Sequence, residues 1–385
     1  GLLTISGSGA TLDVNGELEL SSTTSEAISD GSITVVGDFD GAAANNFTPT
    51  GGTLTMDGSG ADAGITMHSS ANFYNLTVNS GSYDVDAGSN FDVDGALTVS
   101  GGELDVLART VTVAGASDVA SGATLNINGS GVYDANGSFD ANGGTINMDG
   151  TAKLQLASTV TNLGTLDDAA GTVEYNGGAQ DVIADNYYDL VIDQSGDKTA
   201  QGTINVANDM TISNSATFLT SVQTIDITGA TTVSAILDIG NGQFNCRGGF
   251  SATGNINFSH NGGKLNFFTV SPTSLGTLDN SRGTVDYESG ATDVLADDYP
   301  ALRIMGGGTA KTLQGDVNVA DDLVINSGNE LNLGNNTITV SAFSDIDGTL
   351  DFNNGGTFDA NGSFDATNGT VQFTGSGGNL KLGGA

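Results

Sequence analysis

Carboxylates are the side chains in this sequence whose spacing is most suited to chemistry. Adjacent pairs occur at Asp167-Asp168, Asp297-Asp298 and Asp321-Asp322. Glycoside hydrolysis needs two carboxyl groups set about 5 to 10 Å apart in a cleft, but adjacent residues of a strand point to opposite faces. The nine basic residues are dispersed along the chain and the two histidines stand alone, so no base accompanies the acids. The sequence therefore predicts solvated acids and a protein that is not an enzyme.

A second set of carboxylates suits a cation. Asp84 and Asp86 are two residues apart, as are Asp92 and Asp94, so strand alternation places both members of each pair on the outer face. Carboxylates stacked one turn apart would repel by roughly 0.9 kcal/mol even at the dielectric of water. Oxygen-rich sites of this kind suit Ca²⁺, although the glycine-rich nonapeptide of calcium-binding β-rolls is missing. Two interpretations stay open for these four aspartates, a Ca²⁺ site and plain solvated acids, and no cofactor is required.

Short alternating segments must position these residues. Thr11–Val14, Thr110–Val113 and Thr124–Ile127 each alternate polar and apolar residues, which is typical of half-buried strands. Such segments recur about every seven residues, with Gly, Asn, Asp or Ser near their ends and no helical period. Three strands per turn of roughly 20 residues, in a parallel β-helix, fit this spacing. The residues expected to point inward are Leu12, Val14, Val111, Val113, Leu125, Ile127, Val173, Leu190 and Ile192.

A long internal repeat supports this architecture. The motif Gly-Thr-Val-Glu-Tyr at 171–175, followed by Tyr-Tyr-Asp-Leu-Val-Ile at 187–192, recurs in altered form at 283–287 and 299–304, and earlier at 52–56 and 73–78. The segment Asp134–Ala141 returns verbatim as Asp359–Ala366. The sequence therefore predicts an all-β chain, with residues 1–385 in one continuous and right-handed parallel β-solenoid. Its internal repeats are expected at about 1–72, 73–186, 187–298 and 299–385.

Aromatic residues mark the same place in each repeat. They are Phe73, Tyr74, Tyr187, Tyr188 and Tyr299. Stacked at a corner, such side chains would fill the interior of the solenoid; exposed, they would form a platform for a glycan. We favour the buried arrangement.

The composition limits the classes of partner that the chain can bind. Nine Lys and Arg against 45 Asp and Glu give a net charge of −36, which repels nucleic acid and anionic membranes. One cysteine excludes a disulfide framework, and no apolar stretch is long enough to span a membrane. The first residue is Gly1, which indicates a processed form or a segment of a longer chain. Both ends fall within a repeat, and open solenoid ends favour end-to-end self-association.

The repeat motifs resemble modules of large bacterial surface proteins, the filamentous-haemagglutinin-like and autotransporter-like β-helix adhesins. This resemblance implies export to the cell surface and a role in adhesion, matrix or filaments. We therefore expect an extracellular, non-catalytic structural protein that forms a subunit or segment of a filament, sheath or surface layer. The alternatives are an adhesin stalk or glycan-binding surface module and, more remotely, a polysaccharide-acting β-helix enzyme.

Overall fold

The computed structural model describes residues 3–21, 27–60, 63–86 and 90–383, and its regular structure is almost entirely β. The chain divides into two compact units, residues 1–191 and 192–385. All strand pairs within each unit are parallel and stack turn upon turn, so each unit is a β-solenoid. The predicted fold class is confirmed. Among the described residues, no helix has the length and apolar character needed to cross a membrane.

Three long sheets make up most of the first unit, and Thr4–Ile5 pairs with Ala27–Ile28 in a separate two-stranded sheet. Sheet 1 contains Thr11–Val14, Ser32–Val35, Thr53–Asp57, Asn75–Ser80, Leu97–Val99, Ser117–Val119, Phe139–Asp140 and Val160–Asn162. Sheet 2 contains Leu18–Glu19, Phe39–Gly41, Ala63–Met67, Ser82–Val85, Glu103–Asp105, Thr124–Ile127, Thr145–Met148 and Thr165–Leu166. Sheet 3 contains Asn72–Phe73, Phe91–Val93, Thr110–Val113, Val132–Ala135, Lys153–Leu156 and Thr172–Tyr175. The other strands are Thr4–Ile5, Ala27–Ile28, Gln180–Val182, Asn186–Tyr187 and Asp189–Ile192, the last of which ends at the unit boundary.

The second unit has one sheet throughout, sheet 4, with Ile204–Val206, Thr224–Ile227, Gln243–Cys246, Lys264–Phe267, Thr284–Tyr287, Leu302–Ile304, Leu323–Ile325, Ser344–Ile346 and Phe364–Asp365. Its early turns add Gly196–Ala200, Ala216–Leu219 and Ile236–Asp238 on one face and Met210–Ile212 and Thr231–Val233 on another. Two longer strands, Phe250–Asn257 and Ser274–Leu278, join these faces. Its later turns add sheet 5, with Asp293–Val294, Lys311–Leu313, Glu330–Asn332, Thr349–Asp351 and Thr370–Gln372, and sheet 6, with Asp298–Tyr299, Val317–Val319, Thr337–Val340, Thr357–Ala360 and Asn379–Leu382. A short 3-10 helix spans Asn353–Gly355.

The register fixes the size of a turn. Thr11 pairs with Ser32 and Ser32 pairs with Thr53, each 21 residues further along the chain. Each complete turn of the first unit contributes one strand to each of its three sheets. The predicted turn of roughly 20 residues with three strands is therefore confirmed, and the two units together contain about 17 turns.

Alternation along each strand builds the core. Seven of the nine residues expected to point inward are buried, Ile127 and Leu190 completely. The other two, Leu12 and Val14, are only half-buried because Thr11–Val14 is the terminal strand of sheet 1 and has a neighbouring turn on one side. Inward residues that are in register, such as Leu125 and Ile146, are completely buried, so stacked side chains exclude water from the core within a unit.

The long repeat does not contain a whole number of turns. The strand Asn72–Phe73 begins one copy of the aromatic motif, and Asn186–Tyr187, which begins the next copy, is the seventeenth strand after it. With three strands in each turn, the module is five turns and two strands long. The two strands consequently belong to different sheets. The same offset occurs in the second unit. Asn245, which aligns with Asp134 in the repeat, lies in sheet 4, whereas Asp359, one module later, lies in sheet 6.

One buried hydroxyl pair distinguishes two copies of the module. The Tyr133 hydroxyl donates to Ser117 Oγ at 3.0 Å inside the first unit. At the corresponding places the second unit has Phe358 and Ser344, and the buried Ser344 Oγ has no hydrogen-bond partner among the described residues. The ring contacts are alike, because Tyr133 packs edge-on against Phe139 as Phe358 does against Phe364. The tyrosine hydroxyl is therefore the missing partner of Ser344.

Exchanging these rings should move stability in opposite directions. We expect Tyr133→Phe to destabilise the chain by about 1 kcal/mol, because it leaves Ser117 buried without a partner. Phe358→Tyr should stabilise the chain by a similar amount, about 1 kcal/mol, by supplying the bond that Ser344 lacks. Chemical denaturation midpoints of both variants measure this exchange. Destabilisation by Phe358→Tyr would mean that the core around Ser344 has no room for the hydroxyl.

Two lysines point into the solenoid of the second unit at equivalent positions. Lys198 and Lys311 are both fully buried. The ammonium of Lys198 donates to the backbone carbonyl of Gln194 at 2.7 Å. The ammonium of Lys311 has no hydrogen-bond partner among the described residues, and the preceding loop Gly306–Gly308 has a positive φ at each residue. Burial lowers the pKa of both lysines, and Glu288 opposes this effect at Lys311.

Removal of the two charges should therefore have opposite effects. We expect Lys311→Met to stabilise the chain by about 1–2 kcal/mol, because methionine has similar length and needs no partner. Lys198→Met should destabilise it by about 1 kcal/mol, because the carbonyl of Gln194 loses its donor. A lysine with a lowered pKa in the folded state makes stability rise as pH approaches the ordinary value of 10.5. Unfolding midpoints at pH 7 and 10 should show this slope weakened in Lys311→Met; an unchanged slope would contradict the assignment.

Candidate functional site

The four aspartates predicted to bind Ca²⁺ lie on two sheets. Asp84 is on sheet 2, in register with Gly64 and Asp105 of the neighbouring turns. Asp86 follows the same strand and accepts a hydrogen bond from the Thr66 hydroxyl at 3.3 Å. The outward direction of this pair matches the alternation, because Val85 between them is buried.

The second pair belongs to sheet 3. Asp92 is in register with Asn72 and Thr112, and the carboxylate of Asp94 accepts a hydrogen bond from the Asn72 amide. No group of three or more His, Cys, Asp or Glu side chains that could hold a metal ion occurs within the described ranges. Ca²⁺ binding by either pair stays a prediction, which the shift of the melting temperature on adding a chelator would test.

Amide side chains accompany many of the outer carboxylates. Donor–acceptor pairs between successive turns are Asn79–Asp57, Asn128–Asp105, Gln155–Glu174, Gln314–Asp293, Asn318–Asp298 and Asn368–Asp347, with separations of 19 to 23 residues. Hydrogen bonds from Asn79 and Ser80 hold the pKa of Asp57 below its ordinary value. Hydrogen bonds to a carboxylate are stronger than neutral ones. These ladders therefore join adjacent turns where bare carboxylates would repel.

The aromatic set divides between the interior and the surface. Phe73, Tyr187 and Tyr299 are buried, whereas Tyr74 is 37% exposed and Tyr188 is half-buried. The division follows from alternation, since Tyr74 and Tyr188 directly follow an inward residue. Phe73, Tyr187 and Tyr299 are therefore not part of an exposed aromatic platform.

A pair of tyrosines is repeated in atomic detail. The hydroxyls of Tyr175 and Tyr187 lie 3.1 Å apart, and those of Tyr287 and Tyr299 lie 2.9 Å apart. In the first pair Tyr187 donates to the carbonyl of Ile183 at 2.7 Å, while the amide of Ile183 donates to Tyr175 at 3.2 Å. The second pair binds the backbone of Leu295 in the same way. The buried tyrosine hydroxyls thus bind the backbone amide and carbonyl of one loop residue, which is a structural role.

A polar groove in the second unit is the strongest candidate for a binding site. It has a volume of about 480 Å³ and crosses the turns that precede successive strands of sheet 4. Its lining includes Asn261, Asn280, Arg282, Arg303, Asp321 and Asp322. Asp321 and Asp322 lie in a turn and not in a strand, so alternation does not separate them, contrary to the sequence argument. Although 21 residues apart, the two arginines line the same groove.

Arg303 forms an ion pair with a buried carboxylate. Its Nη1 lies 3.4 Å from Oδ2 of Asp286, a carboxylate that is only 3% exposed and whose Oδ1 has no partner among the described residues. Burial raises the pKa of Asp286 to about 6, while Arg303 and Lys264 oppose the increase. Arg282 donates from Nη1 to the carbonyl of Ser259 at 2.9 Å. Since a guanidinium carries more N–H donors than these contacts use, both arginines retain donors for a ligand.

Comparison with protein-family models, curated proteins and solved structures found no significant match. The resemblance to bacterial surface adhesins thus rests on the repeat motifs alone.

The groove was missed in the sequence because its residues come from different turns. A signal was nevertheless present. Where the motif copies are aligned, Arg282 replaces Ala170 and Arg303 replaces Val191. A side chain that one copy of a module has and another lacks is not required by the shared fold, so such departures from the repeat identify candidates for specific binding.

Proposed function

We propose that this protein is a non-catalytic structural protein of the cell surface, a β-solenoid subunit or segment of an extracellular filament, sheath or surface layer. The observation that carries the proposal is that acidic side chains accept hydrogen bonds from Asn and Gln side chains of the next turn. Acids that hold turns together, and that keep the surface strongly anionic, suit a chain that must stay soluble and regular outside the cell.

The repeated interior supports the same role. The tyrosine pairs at 175/187 and 287/299 conserve a buried hydrogen-bond arrangement from one module to the next. Repetition of core detail is expected where each module performs the same mechanical task, because a solenoid turn is stabilised chiefly by its neighbours.

Localisation and assembly can be tested together. Antibodies against the folded chain should label intact source cells, and electron microscopy should show the label on fibres, a sheath or a lattice. Label that appears only after the cells are permeabilised would contradict a surface role. End-to-end self-association stays a separate prediction, tested by sedimentation of the purified chain over a concentration series.

A further inference from the structure

The groove of the second unit combines groups that recognise two kinds of ligand chemistry. Arg282 and Arg303 offer charged donors suited to a carboxylate, which guanidinium groups bind in bidentate fashion. Asp321, Asn261 and Asn280 are exposed and line the same groove, where they can accept hydrogen bonds from hydroxyl groups. A ligand that satisfies both sets carries carboxylates and many hydroxyls.

The acids of the groove narrow the choice of ligand further. Asp321 and Asp322 line the groove together with the arginines and oppose a ligand that carries carboxylates without hydroxyl groups, such as an acidic peptide. A neutral sugar would leave the arginine donors without an anionic partner. Sugar acids, in which one carboxylate accompanies several hydroxyls on each ring, fit the lining best.

The arginines are also special to this copy of the module. Ala170 and Val191 stand at the matching positions of the preceding copy, and Gly51 and Thr77 at those of the first. The fold is thus compatible with small or aliphatic residues at both places. This substitution pattern supplies matched variants for a test of binding.

We propose that the groove lined by Arg282, Arg303 and Asp321 binds an oligosaccharide that contains uronic acid residues. The arginines bind the sugar carboxylates, and the aspartate and the neighbouring amides bind the hydroxyls. Glycan binding goes beyond the proposed structural role and does not depend on it. The chain could form a surface structure without binding a glycan, or bind a glycan without assembling, and the two experiments distinguish these outcomes.

The test uses the full chain and a tetramer of galacturonic acid, with isothermal titration calorimetry in a calcium-free buffer. We expect saturable binding of this tetramer and none of maltotetraose, which has the hydroxyls without the carboxylates. Arg282→Ala should weaken binding by about tenfold or more. Because Arg303→Val alone would leave Asp286 buried without its partner, Arg303→Val is combined with Asp286→Asn and compared with Asp286→Asn alone; the same loss is expected. Lys381→Ala, which removes an exposed cation outside the groove, should bind as the unaltered chain does.

Three outcomes would overturn the proposal. They are no binding of the uronate tetramer at millimolar concentration, undiminished binding by a folded variant that lacks both arginines, and equal binding of a glutamate tetrapeptide, which would assign the groove to acidic peptides. Circular dichroism spectra of each variant establish that the solenoid is intact, so that a loss of binding is attributed to the groove.

Discussion

Replacement of Ile127 by aspartate is expected to destabilise the first unit by about 5 kcal/mol, because it places a carboxylate in a core position with no partner. Ile127 is completely buried on sheet 2, and its strand neighbour in the next turn is the inward Met148. The substitution removes the contact with Met148 and introduces a charge into a completely buried position. The variant should therefore unfold at a much lower denaturant concentration than the unaltered chain.

An outward position of the same sheet provides the matched control. Thr145 lies in register between Thr124 and Thr165, so an aspartate there faces no other acid. Thr145→Asp should change stability by less than about 0.5 kcal/mol. Chemical denaturation followed by circular dichroism compares the two variants. Similar losses at both positions would contradict the assignment of inward and outward faces on which the whole fold depends.

Replacement of Asp286 by asparagine is expected to stabilise the second unit at pH 8. Asp286 continues a column of buried polar side chains formed by Asn245 and Asn266, and Arg303 follows it in the next turn. Burial raises its pKa to about 6 from the ordinary 3.8. The folded state therefore binds the proton more tightly than the unfolded state does. This contribution to stability is complete below pH 3.8 and is lost as pH rises through 6.

At pH 8 the charged carboxylate consequently costs up to about 3 kcal/mol, which asparagine avoids. We expect Asp286→Asn to exceed the unaltered chain in stability by this order at pH 8, and to match it near pH 4. Unfolding free energies over this pH range measure the difference. Glu174→Gln is the comparison at the equivalent position of the first unit, where Gln155 and Lys153 already contact the carboxylate, and it should give no gain. A gain at Glu174 equal to that at Asp286 would contradict this explanation, because it would show that the contacts from Gln155 and Lys153 do not offset the cost of burying a carboxylate.

The alternation of residue types was enough to predict the parallel solenoid, its turn length and most of the core. At Ile127, for example, strand parity decides burial by itself, and parity is a local property of the sequence. The contacts between turns were not predicted. The spacing between register partners varies, from 26 residues between Phe39 and Ile65 to 17 between Val285 and Leu302, because the loops differ in length. One residue of error moves a side chain to the opposite face.

Prediction of the candidate site would have required these variable spacings to be known. Whether Asn128 donates to Asp105, or whether Arg303 reaches Asp286, depends on register across a whole turn. The calcium hypothesis considered carboxylates without their neighbours, and could not include the amides that the next turn supplies. The groove likewise required Arg282, Arg303 and Asp321 to be placed in three successive turns.

The module length of five turns and two strands has a consequence for how the chain displays its surface. Because successive copies of the module within a unit start on different sheets, side chains that correspond are directed to different sides of that unit, as the separate sheets of Phe73 and Tyr187 show in the first unit. Repetition along the sequence therefore does not produce a row of identical contacts on one side, which a flat crystalline ligand or a straight polymer would need. It distributes equivalent positions around the circumference instead. Other molecules that bind equivalent positions would then contact a unit from several directions. A feature confined to one copy of the module, such as the arginine groove, provides a single binding site.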